Sequence, residues 1–124
     1  MPVSISEAEA RVMEALWRTS PLSAEQVIDE VAKAQGWSEA TVKTLLNRLL
    51  GKKAITAKRD GRRYLYRPRV KREDYVAAES RDLLDRLFDG KLAPFIAHFS
   101  ERQDLSEEEI DELKKLIARL DDAR

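Results

Sequence analysis

The chain changes period once, and that change limits the folds open to it. Through residue 51 apolar side chains recur every three or four positions. Beyond it, residues 55–59 (Ile55-Thr56-Ala57-Lys58-Arg59) and 62–66 (Arg62-Arg63-Tyr64-Leu65-Tyr66) form two β-rich runs around Asp60-Gly61, and Pro68 stops the second. Asp-Gly between such runs is a strong hairpin signal, because the twist of paired strands selects a type I′ turn with positive φ at both central residues. The helical part is punctuated as clearly. Ser6-Glu7-Ala8-Glu9 is a capping box, in which the Ser6 hydroxyl accepts from the Glu9 N–H and the Glu9 carboxylate accepts from the Ser6 N–H. The helix it opens carries Ala10, Val12, Met13, Leu16 and Trp17 on one stripe and stops before Pro21. A second box, Ser23-Ala24-Glu25-Gln26, opens a short helix that buries Val27, Ile28 and Val31, with Gly36 as a left-handed cap. Ser38 caps a third helix with Val42, Leu45, Leu46 and Leu49 inward and Gly51 closing it. Three helices followed by a hairpin is the order of a winged helix-turn-helix domain, expected over residues 1–70 of a mainly α chain with one small β-hairpin.

From residue 71 the period is helical again. Residues 71–88 place Val76, Leu83, Leu84, Leu87 and Phe88 inward, Gly90 interrupts, a shorter helix carries Leu92, Phe95, Ile96 and Phe99, and a third box at Ser106 to Glu109 opens a last helix over 107–121. Residues 71–124 are therefore expected to form a three-helix dimerisation domain, with the boundary near 68–72. A segment this short rarely encloses a sufficient core by itself. Ile110, Leu113, Leu116, Ile117 and Leu120 make a stripe that can pack against the same chain or against a second copy. The small size favours a second copy, with Leu83, Leu87, Phe88, Phe95, Phe99, Ile110, Leu113 and Ile117 at the dimer interface.

Charge supplies the functional signal. Lys plus Arg number 23 and so do Asp plus Glu, yet residues 1–40 carry −4, residues 41–72 carry +11 (12 basic against 1 acidic) and residues 73–124 carry −7. The basic block covers the third helix, the turn after it and both strands of the wing, which is the surface that displaces counterions from duplex DNA in this architecture. With Val42, Leu45, Leu46 and Leu49 inward, the third helix presents Glu39, Ala40, Lys43, Thr44 and Asn47 outward. Asn pairs with adenine, Lys donates to guanine, and Ala or a Thr methyl meets the thymine methyl. Ser38, Thr41 and Arg48 border that face, although Arg48 can equally brace the wing. Lys52 and Lys53 can simply complement the helix C-terminus. Lys58, Arg59, Arg62 and Arg63 flank the hairpin tip and are expected on phosphates or in the minor groove.

Other chemistry has little to stand on. No cysteine is present, which excludes disulfides, thiolate catalysis and Cys-based metal sites and suits a reducing cytoplasm. The single histidine, His98, has no nucleophile or second imidazole near it, and the acids at residues 107–109 and 111–112 are explained by the helix macrodipole. No catalytic, metal or cofactor site is expected. Trp17 and Trp37 lie beside helix ends among apolar neighbours, so packing is expected of them rather than base stacking. Tyr64 and Tyr66 alternate on one strand face, where they are expected to cover the helices. The first twenty residues are interspersed with Glu and Arg and no 18-residue apolar run exists, so neither a secretory signal nor membrane insertion is expected.

Together these residues resemble the penicillinase-repressor (BlaI/MecI) family. The resemblance rests on Ile5-Ser6-Glu7-Ala8-Glu9 with Val12-Met13 and Trp17, and on Trp37-Ser38 with Thr41, Thr44-Leu45 and Asn47-Arg48-Leu49. It continues through Lys52-Lys53, Ile55, residues 64–68, residues 95–99, Asp104-Leu105-Ser106 and Glu108-Glu109-Ile110-Asp111-Glu112-Leu113. It implies a cytoplasmic homodimeric repressor whose recognition helices sit on a palindromic double-stranded operator. It also implies a membrane-bound sensor metalloprotease as a partner, one that relieves repression by cutting the C-terminal domain at an Asn-Phe bond. Here the matching bond is His98-Phe99, without the Asn, so either the cleavage specificity is altered or the proteolytic route is absent. The copper-responsive branch uses a Cys-x-Cys pattern that this chain lacks. The alternative reading is a winged-helix protein-interaction module that does not bind duplex DNA.

Overall fold

In the computed structural model, which describes residues 4–124, the elements follow the order α1 (Glu7–Arg18), β1 (Leu22–Ser23), α2 (Ala24–Gln35), α3 (Glu39–Gly51), β2 (Ile55–Asp60), β3 (Arg63–Pro68), α4 (Arg72–Leu87), α5 (Leu92–Glu101) and α6 (Glu107–Asp122). Local chemistry sets the helix starts. Both reciprocal hydrogen bonds of the box are present at Ser6/Glu9 and at Ser23/Gln26, and the Ser38 hydroxyl accepts from the Thr41 N–H. Gly36 takes φ 70°, and behind it the Trp37 N–H reaches the Ala32 carbonyl at 2.8 Å.

Three details of the secondary structure differ from the sequence expectation. A third strand exists: β1 pairs antiparallel with β3, Leu22 opposite Tyr66 and Ser23 opposite Leu65, so the sheet runs β1-β3-β2. Two residues are too short a run to show a period of two. The hairpin turn is centred one residue later than Asp60-Gly61. Asp60 faces Arg63 across the ladder, so the loop is Gly61-Arg62, and only Gly61 has positive φ, at 64°. Glycine at the first central position, with no positive φ at the second, is the type II′ pattern rather than I′. Finally, α3 does not use Gly51 as its stop. Gly51 stays in the helix and Lys53 takes the left-handed conformation at φ 62°. The Ala54 N–H then bonds the Leu49 carbonyl and the Lys53 N–H that of Leu50, the paired bonds of a Schellman motif.

By its contacts the chain divides into two compact units, Met1–Ala78 and Glu79–Arg124. The division falls inside α4 rather than near 68–72, because the start of that helix is tied to the first unit. Trp17 donates its indole N–H to the Val70 carbonyl at 2.8 Å, the Trp17 and Tyr75 rings lie 5.4 Å apart, and Arg72 pairs with Glu14 at 3.2 Å. In this unit Val12, Met13 and Leu16 of α1, Val27 of α2, Val42, Leu46 and Leu49 of α3 and Ile55 of β2 are essentially sealed from water. Ile28 is only partly buried, at the edge of that core. Trp17 and Trp37 pack against it as expected, and so does Tyr66, but Tyr64 is 49% exposed and does not cover the helices.

The second unit has no buried residue among those described. An edge-to-face cluster joins Phe88, the residue after α4, to α5, with Phe88 and Phe95 centroids 5.4 Å apart and Phe95 and Phe99 5.2 Å apart. Leu87, Leu92, Leu116, Ile117 and Leu120 remain exposed beside it. No described helix is long and apolar enough to cross a membrane.

Candidate nucleic-acid interface

The orientation of α3 is fixed at both ends and along its length. Val42, Leu45, Leu46 and Leu49 anchor the inner face, Ser38 caps the start, and Lys52, the residue after the helix, reaches back to α1. Its ammonium donates to the Glu9 carboxylate and to the Ser4 carbonyl. Glu9 is 1% exposed, and the same carboxylate oxygen accepts from the Ser6 N–H at 2.8 Å. Burial alone would push the Glu9 carboxyl up. The hydrogen bonds from Lys52 and Ser6, with the charge of Lys52, outweigh that and hold it below the ordinary carboxylate value. Lys52 therefore serves the fold rather than the helix C-terminus, and one of the basic residues counted in the sequence is neutralised internally. The N3 glutamate of the box was legible in the sequence; its partner 43 residues away was not.

The outer face of α3 is open. Glu39, Ala40, Thr41, Lys43, Thr44, Asn47 and Arg48 are all exposed, and the Lys43, Asn47 and Arg48 side chains make no hydrogen bond or ion pair among the described residues. Three hydroxyls are partly committed. The Thr44 hydroxyl donates to the Ala40 carbonyl at 2.9 Å, which leaves it able only to accept from a further partner, and the Ser38 and Thr41 hydroxyls share a 3.1 Å bond at the cap.

The wing separates its basic residues into two groups. Arg59 donates to the Gly61 carbonyl at 3.0 Å and Arg63 lies 3.5 Å from the Asp60 carboxylate, so both partly stabilise the tip. Lys58 and Arg62 are exposed and carry no internal partner among the described residues. A groove of about 830 Å³ lies between the start of α2, the first turn of α3 and the wing, and Glu39, Lys43, Arg62, Arg63, Tyr64 and Tyr66 line it. The helix face and the wing thus border one continuous concave surface. Tyr64, expected in the core, forms part of its wall, a displacement the alternation of the strand did not reveal because Leu65 is half-buried as well.

The remaining candidates lie in the second unit. Leu83, Phe88, Phe95 and Leu113 are half-buried, whereas Leu87, Phe99, Ile110 and Ile117 are exposed. Phe95, Ile96, Phe99, Leu105, Leu113 and Leu116 line an apolar cleft of about 330 Å³. Leu92, Leu116 and Leu120 are exposed as well, and Leu116 lines the cleft, although the expected interface omits all three. The His98-Phe99 bond is inside α5, and both side chains are exposed.

The family model described as penicillinase repressor matches residues 5–119. The penicillinase repressor of Bacillus licheniformis is 36% identical over 113 residues, covering 91% of this chain and 88% of that protein. The methicillin resistance regulatory protein MecI of Mammaliicoccus sciuri is 32% identical over 113 residues, or 91% and 92% of the two chains. Among solved structures, the monomeric form of Bacillus licheniformis BlaI in complex with the blaP half-operator is 38% identical, with a TM-score of 0.53, covering 58% of this chain and 88% of that one.

Proposed function

The chain belongs to the penicillinase repressor family, and from that premise we propose that it represses transcription by laying the outer face of α3 in the major groove of duplex DNA while the wing holds the flanking backbone. The observation that carries this reading is the open basic surface. Lys43, Asn47, Arg48, Lys58 and Arg62 project from one rigid, capped and well-packed unit, and none of them is consumed by an internal partner among the described residues. Lys43, Thr44 and Asn47 are assigned to base edges, and Lys58, Arg59, Arg62 and Arg63 to phosphates. The cysteine-free composition suits work in the cytoplasm.

A second copy completes the second unit in this reading. Leu87, Ile117 and Leu120, each about 60% exposed, are too large an apolar surface to leave in water. A two-fold dimer matches a palindromic operator with half-sites about 34–36 Å, or a multiple, apart. Relief by a sensor metalloprotease at His98-Phe99 requires α5 to unwind locally first, since the scissile bond is held in helical hydrogen bonding.

The test is a gel shift with the promoter region of the chain's own operon against random duplex. The expected result is specific binding at about 0.15 M salt that is at least about a thousandfold tighter than random duplex and weakens steeply between about 50 and 200 mM. Absence of any duplex affinity would leave the protein-interaction reading in its place.

A further inference from the structure

One acidic side chain stands within the basic face, and nothing described neutralises it. Glu39 is the first residue of α3, is exposed, and makes no side-chain hydrogen bond or ion pair, not even with Lys43 one turn along the same face. The two share the wall of the groove that Arg62 and Arg63 also line. Asp60 is occupied by Arg63 and Glu9 by Lys52; Glu25 and Asp29 also line the groove without a partner among the described residues, but they belong to α2, and Glu39 is the acid carried on the outer face of α3 itself. A free carboxylate on a surface that approaches phosphates weakens binding to every duplex alike. Only a contact that depends on sequence offsets that.

The chemistry of the major groove specifies which contact. A carboxylate is an acceptor only, so it needs a donor on a base edge, and cytosine N4 and adenine N6 are the two on offer. Adenine sets the N7 acceptor beside its amino group, which repels a carboxylate, whereas cytosine presents its amino group without an adjacent acceptor on the same base. The N-terminal residues of a recognition helix are the ones that reach base edges. Building on the DNA-binding reading above, we propose that Glu39 is a specificity-determining residue that selects a cytosine by accepting from its N4 amino group, with Lys43 on the guanine N7 and O6 beside it.

A first-turn acid also favours the helix macrodipole. Glutamine separates the two roles, because it loses the charge but pairs bidentately with adenine. The experiment takes the full-length protein and its Glu39→Gln and Glu39→Ala variants through selection from a randomised duplex library, then measures Kd for the selected operator and its single-base variants. The wild type is expected to select cytosine at one position per half-site. Glu39→Gln should move that one preference from cytosine to adenine, and Glu39→Ala should erase it, a change of roughly tenfold at that base pair alone. Both variants should bind random duplex more tightly than the wild type, and their melting temperatures should fall equally and by no more than a few degrees, the loss of the macrodipole interaction alone. Unchanged base preferences at every position, with affinity shifted equally for all duplexes, would overturn the assignment of Glu39 alone. A wild type with no sequence preference would overturn the DNA-binding reading and this inference with it.

Discussion

The two units of the chain both carry apolar stripes at helical spacing, but only the first encloses its own. Among the described residues all fourteen buried apolar side chains, from Ile5 to Ile55, lie in Met1–Ala78, where three helices and a small sheet close over them. In Glu79–Arg124 the aromatic cluster of Phe88, Phe95 and Phe99 is partly covered, while Leu87 and Ile117 stand 63% and 60% exposed. An apolar stripe therefore states that a surface has to be covered without stating by what. Size decides the difference: a unit of 46 residues arranged as two helices and part of a third has too little interior for its side chains.

The sharpest way to break this comparison is to separate the units. A chain ending at Ala78 keeps Tyr75 on Trp17 and is expected to stay folded, to sediment as a monomer, and to bind one half-site. Its operator affinity should fall by about 10²- to 10⁴-fold, the gain that tethering two modules provides. Sedimentation and titration of the same preparation check both halves. A truncated chain that remains dimeric would place the interface in the winged unit. In the full chain, Leu113→Asp should dissociate the proposed dimer similarly, because a carboxylate in the seam proposed there would have no partner.

Core substitutions sharpen it further. Leu46→Ala removes a side chain 1% exposed and should cost about 2–5 kcal/mol of unfolding free energy at any protein concentration. Ile117→Ala should instead lower a concentration-dependent melting temperature if, as proposed, its cover comes from a second chain. Equal, concentration-independent losses would show that the second unit is sufficient to itself.

The Glu9–Lys52 pair tests how the first unit holds the recognition helix. Lys52→Ala leaves a buried carboxylate short of its main partner and should cost about 2 kcal/mol, less than for a wholly buried pair because the ammonium is partly open to water. The folded carboxyl titrates below its ordinary value of 4.5, so its contribution is complete above that value and is lost as pH falls through the lower, folded one. Urea titrations across this acid range should show a steeper stability loss for the wild type than for Lys52→Ala.

The smallest effects fall on the interface. Lys43→Ala and Asn47→Ala should each cost about 1–3 kcal/mol at one operator base pair, whereas Arg62→Ala should weaken all duplexes alike and lower the salt slope by about one. Arg63→Ala should do less, because Asp60 already occupies part of that guanidinium. Wing variants that altered base preference would reverse the docking.

What the sequence determined by itself is whatever closes within one turn. Ser6, Ser23, Ser38 and Ser106 cap their helices through partners three residues on, and the spacing of Val42, Leu45, Leu46 and Leu49 settled which side of α3 faces water. The tertiary structure decided what depends on distant partners. Leu22 and Ser23 become a strand only because β3 lies beside them, Lys52 is withdrawn from the basic surface by Glu9, and α4 begins in the first unit because Trp17 and Glu14 hold its entry. The turn shows the same division on a small scale. Asp60-Gly61 announced a hairpin, but the pairing of Asp60 with Arg63 fixed its centre at Gly61-Arg62. Short-range hydrogen bonds are written into neighbouring residues, while register, ion pairs and cover for an apolar face are chosen only when segments far apart in the chain meet.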